Sequence, residues 1–424
     1  MRIKELFFIV FIMSPILMFA ENQNEIKVLV SPDHSDWTYS IGEKCNFKVR
    51  VLNSQNFMSG VKIDYELGED MYPLKKMTGL ILKNGELNVS ASMNKAGFLR
   101  CIVKAYVNDR EYQGMATVAY SPEKIKDHAV MPKDFKSFWD NALNEARKIP
   151  LEPMMKLLED RCTDKVDVYH ISFQNIRYGS RTYGILCVPK KEGKYPALLR
   201  VPGAGARPYY GDVEMASNGV ITLEIGIHGV PVIYPTDFYD RLLYGPLYDY
   251  QYQNVDNRDK IYYKRVFIES VRAVDYIYSL SQFDGKTIGV TGTSQGGALS
   301  MVVAALDKRV SFYAAIHPAM CDHRAYLHDV AGGWPHYYYY NPKANEDIKY
   351  TLDYYDVVNF AKLITVPGWF SWGYNDIVCP PTSIYAAYNK ITAPKELHLY
   401  VETGHFLYNE QYEEWKSWLY NQYK

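Results

Sequence analysis

The stretch 289-GVTGTSQGGALS-300 joins an apolar, strand-like start to a serine flanked by glycines and a run of small, helix-compatible residues. The spacing is Gly292-x-Ser294-x-Gly296, and Gly297 follows directly. A serine that projects from a sharp strand-to-helix turn adopts strained backbone angles, and glycines leave space where side chains would collide. The stretch therefore predicts a nucleophilic serine at Ser294, and a serine in an ordinary tight turn is the alternative.

A serine hydroxyl needs a base to take its proton, and in this type of sheet an acid and then a histidine follow the serine along the chain. "FSWGYNDIVCPP" places Asp376 after one apolar strand, and "LHLYVETGHFLYNE" places His405 after the next. We therefore predict that these side chains meet Ser294 at one sheet edge. Asp353 and Asp356 are assigned to a solvated helix face instead. Structural or substrate-facing positions are assigned to the other downstream histidines: His317, His323, His328, His336 and His398.

A tetrahedral intermediate also needs N–H donors for its oxyanion. The residue after the nucleophile, Gln295, is predicted to supply one donor. The strand "LLRV" ends in the glycine-rich turn "PGAGARP", where Ala204 is predicted to supply the second. A phosphate cradle is the alternative for this turn, but the lysine and the Ser/Thr of a P-loop are missing.

The architecture around the serine motif is predicted to be α/β over residues 123–424. Strand-like runs such as "YPALLRVPG", "TIGVTG" and "GWFSWG" alternate with helical stretches such as "RVFIESVRAVDYIYSL". Such alternation is typical of a mostly parallel sheet with flanking helices.

Residues 21–122 are predicted to form a small all-β sandwich of the immunoglobulin-like kind, because short alternating β runs are separated by turn residues. The tryptophan and the tyrosine that mark antibody-type domains are missing. Cys45 and Cys101 lie in two strand-like runs, so they form either a disulfide across the sandwich or two free buried thiols. The other four cysteines lack metal-ligand spacing.

Residues 1–20 have the pattern of a secretory signal peptide: Arg2 and Lys4 precede an apolar run that ends at Ala20. The run is shorter than the ~20 residues of a comfortable membrane span. We therefore predict an exported protein, periplasmic or extracellular, without stable membrane insertion. A net charge of −1 gives no general electrostatic reason to bind nucleic acid.

The stretches "YYKRVFIESVRAVDYIYSL", "DGKTIGVTGTSQGGALSMVVAALDKRV", "CDHRAY" and "NDIVCPPTSIYAAYNKI" closely resemble the acetyl xylan esterase and cephalosporin C deacetylase family of α/β-hydrolases. They span residues 262–391, and a looser similarity covers roughly residues 125–424. The resemblance implies a triad at Ser294, Asp376 and His405, and the removal of acetyl groups from short acylated sugars without a metal or other cofactor.

Two segments depart from the family pattern. Where the family has His-Gly-Tyr at the first oxyanion turn, this chain has Pro-Gly-Ala at residues 202–204. Where the family has Arg-Gly-Gln after the next strand, this chain has His-Gly-Val at residues 228–230. We expect an altered substrate shape, with His228, Trp334 and Tyr209 as substrate contacts.

The functional prediction is an exported serine carbohydrate esterase that deacetylates xylo-oligosaccharides or related plant-glycan fragments. A peptidase or other acyl hydrolase of the same fold is one alternative, and a catalytically idle glycan-binding protein is another. The aromatic runs "YGPLYDYQYQN" and "GGWPHYYYYNP" are assigned to a sugar-facing rim, to packing or to a subunit interface. A homo-oligomer is left open.

Overall fold

A computed structural model describes residues 25–424 of the chain. The predicted signal peptide, residues 1–20, lies outside these residues. Within the described part, no helix combines the length and the apolar character needed to cross a membrane.

The N-terminal part consists of two β-sheets that enclose one apolar core. Its strands are β1 Ile26–Ser31, β2 Thr38–Tyr39, β3 Cys45–Asn53, β4 Asn56–Phe57, β5 Val61–Glu69, β6 Tyr72–Leu82, β7 Glu86–Ala91, β8 Gly97–Val107 and β9 Arg110–Tyr120. In one sheet, β3 pairs with β1, β4 and β7. The other sheet has the order β2-β9-β8-β5-β6. Alternating residues of β3 and β8 point into the shared core, so the sequence periodicity reflects real two-sided strands.

The long strand β6 escaped prediction because its residues are almost all exposed and give no apolar alternation. It is an edge strand that pairs only with β5 among the described strands, and Pro73 is tolerated at such an edge. Cys45 and Cys101 are both buried and both free, so the two-thiol alternative describes them.

The C-terminal part is built on a nine-stranded sheet. Its strands are β10 Met154–Leu157, β11 Val166–Gln174, β12 Arg181–Pro189, β13 Tyr195–Arg200, β14 Ile221–Gly226, β15 Phe283–Thr293, β16 Phe312–Ile316, β17 Gly368–Trp372 and β18 Lys395–Leu399. The order is β10-β11-β12-β14-β13-β15-β16-β17-β18. Pairs from β14 to β18 are parallel, and those from β10 to β14 are antiparallel. The mostly parallel sheet is as predicted, and β16 and β17 are buried along their whole length, as central parallel strands should be.

Helices connect and cover this sheet. They are α1 Phe135–Arg147, α2 Val213–Ser217, α3 Thr236–Leu243, α4 Tyr262–Tyr278, α5 Gln295–Leu306, α6 Tyr337–Tyr340, α7 Glu346–Asp353, α8 Val357–Ala361, α9 Pro381–Tyr388 and α10 Asn409–Asn421. Short 3₁₀ helices span Pro122–Lys124, Glu159–Arg161, Tyr250–Tyr252 and His323–His328. The domain boundary predicted at residues 122–123 falls in the first of these turns and stays a prediction.

Candidate active site

Ser294 lies at the turn between β15 and α5, with φ 60° and ψ −122°. This left-handed backbone is strained for a residue with a Cβ atom and persists only where the surroundings enforce it. The surroundings are hydrogen bonds: the Ser294 N–H donates to the Ile316 carbonyl at 2.8 Å, and its carbonyl accepts from the N–H groups of Ala298 and Ala319, both at 3.1 Å. The turn thus presents the serine side chain at the carboxyl end of the central strand.

The glycines around Ser294 are required by close backbone approach. A Cβ atom at Gly292 would lie 2.6 Å from the carbonyl oxygen of Val201, and one at Gly296 would lie 2.4 Å from the same atom. A Cβ atom at Gly297 would lie 2.7 Å from the Ile316 carbonyl. The three glycines therefore allow β13, β15, β16 and α5 to meet at one point.

The structure brings Ser294, His405 and Asp376 into one hydrogen-bonded line. His405 Nε2 lies 2.9 Å from Ser294 Oγ, and His405 Nδ1 lies 2.7 Å from Asp376 Oδ2. Asp376 follows β17 and is fully buried, whereas His405 follows β18 and is partly accessible. When the imidazole is neutral with its proton on Nδ1, it donates to Asp376 and accepts from the serine hydroxyl.

The Asp376 carboxylate is held by its own loop as well as by His405. Its Oδ1 accepts from the N–H groups of Val378 and Cys379, both at 2.8 Å. Burial alone would raise the pKa of this carboxyl, but His405 and a second histidine, His317, hold the pKa well below its usual value. Asp376 is therefore an anion that can stabilise a positive charge on His405.

His317, which follows β16, also lies against the Asp376 carboxylate. The sequence predicted a structural or substrate-facing position for this histidine. Its ring is buried, and its Nδ1 lies 3.3 Å from Asp376 Oδ2. Burial lowers the pKa of His317, so the ring is neutral at neutral pH. The strand order explains this contact: β16 lies between β15 and β17, so the residue after β16 lies between those that follow the two neighbouring strands.

His317, Asp376 and His405 offer ligand atoms that all lie within 4.8 Å of one another, which is the kind of grouping that can hold a metal ion. His405 Nδ1 and Asp376 Oδ2 already lie 2.7 Å apart in a hydrogen bond. A metal bound through these two atoms would replace that hydrogen bond.

Gln295 begins α5, so its N–H is among the first N–H groups of a helix, which lack intrahelical acceptors. Its buried side chain binds the neighbouring turn. Gln295 Nε2 donates to the carbonyls of Pro202 and Gly203 at 3.2 and 3.3 Å. Ala204, the other predicted oxyanion donor, lies in the same turn, next to these two residues. The turn and the start of α5 are thus joined by one amide side chain.

His228 and Tyr250 hold the far side of the same turn. His228 Nε2 lies 3.2 Å from the Gly205 carbonyl oxygen, and Nδ1 lies 2.7 Å from Tyr262 Oη. The Gly205 N–H donates to Tyr250 Oη at 3.3 Å. Burial lowers the pKa of His228 to about 4, so the ring is neutral. Both nitrogens of His228, a predicted substrate contact, are therefore occupied by the protein.

The two other predicted substrate contacts occupy different environments. Tyr209 is buried in an apolar cluster with Ile185, Cys187 and Val232, which leaves little of its ring for a sugar. Trp334 is half-buried, and its carbonyl accepts from the Met320 N–H at 2.8 Å. A substrate role for both residues stays a prediction.

The aromatic runs are divided between core and surface. Tyr252 and Tyr337 pack edge to face with ring centroids 5.4 Å apart, and Tyr252 Oη donates to the Pro335 carbonyl at 2.5 Å. Tyr244 and Tyr340, in contrast, are exposed. Packing therefore accounts for part of each run, and a sugar-facing role for the exposed rings stays a prediction.

The solvated helix face predicted for Asp353 and Asp356 is wrong, because both side chains are buried. Asp353 forms a two-point ion pair with Arg324, at 2.6 and 2.8 Å. Asp356 accepts backbone N–H groups from Asp322 and His323 at 3.0 and 2.7 Å. Their polar side chains turn inward because these partners compensate the loss of water.

Known acetyl esterases are similar to this chain in sequence and in structure. A family model described as acetyl xylan esterase (AXE1) matches residues 115–422. The acetyl esterase Axe7A of Xylanibacter ruminicola is 38% identical over 431 residues, which cover 99% of this chain and 97% of that protein. The acetyl xylan esterase from Paenibacillus sp. R4 matches with a TM-score of 0.62 at 26% identity. Acetyl xylan esterase 1 from Thermoanaerobacterium sp. JW/SL YS485 matches with the same TM-score at 24% identity, and each match covers 72% of this chain and 98% of the other.

The sheet order and these structural matches define a protein of the α/β-hydrolase fold. The chain belongs to the acetyl xylan esterase family. The predicted fold class, family resemblance and carboxylic ester hydrolase activity are thereby confirmed. Most of the N-terminal β-rich part lies before residue 115, outside the family match, and its immunoglobulin-like character stays a prediction.

Proposed function

We propose that this protein is an exported serine esterase that removes acetyl groups from xylo-oligosaccharides or related plant-glycan fragments. The observation that carries the proposal is the line from Ser294 through His405 to Asp376, with contacts of 2.9 and 2.7 Å, in a chain of the acetyl xylan esterase family. The basic and apolar pattern of residues 1–20 supports export.

In the proposed reaction, Ser294 Oγ attacks the acetyl carbonyl while His405 Nε2 takes the hydroxyl proton. The C–O bond to the sugar then breaks, and His405 returns the proton to the departing sugar oxygen. Asp376 keeps the His405 ring oriented and stabilises its cation. Water repeats the sequence on the acetyl-enzyme, releasing acetate and restoring the serine.

The oxyanion of each tetrahedral intermediate would accept from the N–H groups of Gln295 and Ala204. A donor of this kind typically contributes about 2.7–4 kcal/mol to lowering the barrier. The hydrogen bonds from the Gln295 side chain to Pro202 and Gly203 support this assignment, since they fix the two donor segments relative to each other.

The test is acetate release from acetylated xylo-oligosaccharides by the chain that begins at residue 21. Ser294→Ala is expected to reduce kcat by more than about 10³-fold, as loss of a serine nucleophile does. Ser300→Ala is the matched control, because Ser300 lies in α5, the helix that follows Ser294, and its hydroxyl donates to the Gly296 carbonyl. This control should retain activity within about threefold of the parent, as expected for a neutral hydroxyl outside the reacting groups.

A panel of peptide and long-chain acyl esters separates the alternatives. Activity on these substrates without acetate release from sugars would contradict the deacetylase proposal and favour another acyl hydrolase. A covalent serine probe that fails to label Ser294 would favour an idle glycan-binding protein.

A further inference from the structure

A buried ion pair lies between the N-terminal sheets and the loop that carries Asp376. Arg100, in β8, places Nη1 2.7 Å from Asp70 Oδ1, and the two side chains are only 5% and 2% exposed. Both residues precede residue 115, where the family match begins. The pair therefore belongs to the β-rich part.

The remaining donors of Arg100 connect that part to the acid loop. Arg100 Nη2 donates to the Asp376 carbonyl at 3.0 Å and to the Tyr374 carbonyl at 3.3 Å. Its Nε donates to Thr117 Oγ1 at 2.8 Å, which anchors the guanidinium to the neighbouring strand β9. The planar guanidinium of Arg100, whose N–H donors have fixed directions, thus holds the backbone of Asp376.

Asp70 extends the same contact to the helix after the loop. Its Oδ2 accepts from Thr382 Oγ1 at 3.3 Å, and Thr382 lies in the first turn of α9. Burial raises the pKa of Asp70 to about 6, although Arg100 and Thr382 oppose the shift. Taking both charges out of water costs free energy that offsets their attraction. Stabilisation of the fold alone is therefore a weak explanation for burying this pair.

Apolar and amide contacts surround the ion pair on both sides of the loop. The Phe98 ring packs edge to face on Tyr374, with centroids 4.9 Å apart. Asn375 Nδ2 donates to the Met115 carbonyl at 3.5 Å and to the Glu402 carbonyl at 3.1 Å, and Glu402 belongs to the loop that leads to His405. The β-rich part therefore contacts three successive residues ending at Asp376.

We propose that Arg100 and Asp70 are positioning residues of the esterase: through the backbone of Asp376 they set the orientation of its carboxylate toward His405. The β-rich part is then a working component of the active site and not a separable binding module. This inference rests on the proposed triad, since Asp376 must orient His405 for its position to matter.

The pair is tested by replacing both charges at once. Arg100→Met alone leaves Asp70 buried without its partner and threatens folding, whereas Arg100→Met with Asp70→Leu substitutes apolar groups for both. Arg50→Met is the matched control, because Arg50 pairs with Glu86 at 2.8 Å on the exposed side of the same β-rich part. For each full-length variant, kcat and KM for an acetylated xylo-oligosaccharide are measured with the thermal midpoint.

We expect kcat of the folded double variant to fall by about 10- to 100-fold, as small misplacements of catalytic groups do. KM should stay within about twofold, because the pair contacts no substrate, and Arg50→Met should keep the parent kcat. In an Asp376→Asn background the double replacement should lower kcat no further, since the affected carboxylate is already gone.

An unchanged kcat in the folded double variant, a change confined to KM, or an equal loss in the Asp376→Asn background would each overturn the inference. Failure of the proposed function is a separate result, recognised when the parent chain releases no acetate or when acetate release survives Ser294→Ala.

Discussion

At the scale of single residues, the Gln295 side chain is the centre of the proposed oxyanion region. Its Oε1 accepts from Tyr250 Oη and Tyr263 Oη, each at 2.8 Å, and its Nε2 donates to the turn at Pro202 and Gly203. Every polar atom of this buried amide is therefore used. Such fully satisfied networks favour a unique arrangement, because any alternative leaves a polar group unpaired.

Tyr250→Phe and Tyr263→Phe test the two hydrogen bonds to Gln295 Oε1 separately. Both variants lose one hydrogen bond to Gln295, and each should lower the free energy of unfolding by about 1 kcal/mol. Only Tyr250 also accepts the Gly205 N–H of the turn. We expect kcat to fall about 10-fold in Tyr250→Phe, less than the 10²–10³ for losing an oxyanion donor itself. Steady-state acetate release and denaturant unfolding measure both quantities.

Tyr263→Phe is the control, and it should keep kcat within about twofold of the parent because Tyr263 has no bond to the turn. Equal losses of kcat in the two variants would contradict a specific connection between Tyr250 and the oxyanion turn.

At the scale of secondary structure, the parallel order of strands β15 to β18 made the candidate site predictable. Ser294, Asp376 and His405 each follow a strand that the apolar pattern identifies, and parallel strands end at a common edge. The glycine motif added the strand-to-helix turn. These signals are local in the chain, so the sequence alone carries them.

Contacts between distant segments were not predictable in the same way. Arg100 lies in a strand whose alternating pattern is typical of any strand with two different faces. Nothing in that pattern indicates a hydrogen bond to the Asp376 carbonyl. The burial of Asp356 likewise depends on backbone donors of a remote turn. Backbone N–H and carbonyl groups belong to nearly every residue type. The residue types in a sequence therefore do not reveal which segment supplies such a hydrogen-bond partner.

Helix α4 contributes a buried carboxyl whose titration should affect stability. Glu269 accepts from Arg265 Nη1 at 3.0 Å, from Thr182 Oγ1 at 2.9 Å and from Asn175 Nδ2 at 2.8 Å. Burial raises the pKa of Glu269 from 4.5 to about 7, although these partners oppose the shift. The folded state therefore binds this proton more tightly than the unfolded state does.

It follows that the contribution of Glu269 to stability is fully present below pH 4.5 and decreases as the pH rises to 7. The loss amounts to about 3 kcal/mol over this window. In Glu269→Gln this dependence should disappear, so the stability difference between parent and variant should shrink from pH 5 to pH 8. Denaturant unfolding at the two pH values measures it, and Glu123→Gln, an exposed change, is the control. Parallel pH dependence in parent and Glu269→Gln would contradict the assignment.

At the scale of the whole molecule, the two parts of the chain share a core. Phe98 and Ala119 of the β-rich part are buried in the same apolar cluster as the central strands of the large sheet. A polar contact also bridges the parts: Asn389 Nδ2 donates to the carbonyl of Pro122 at 3.0 Å. Separation of the parts would expose this apolar surface and remove this hydrogen bond.

The shared core predicts that residues 25–424 unfold as one unit. Scanning calorimetry should show a single transition whose van't Hoff and calorimetric enthalpies agree, which is the signature of cooperative unfolding. Phe98→Ala, at the junction, should lower the free energy of unfolding by about 3–5 kcal/mol, as loss of a buried phenylalanine does, and should shift the whole transition. Leu29→Ala, at an exposed position of β1, is the control and should leave it in place. Two resolved transitions, of which Phe98→Ala moves only one, would show instead that the β-rich part unfolds independently, and would also weaken its assigned role in holding the Asp376 loop.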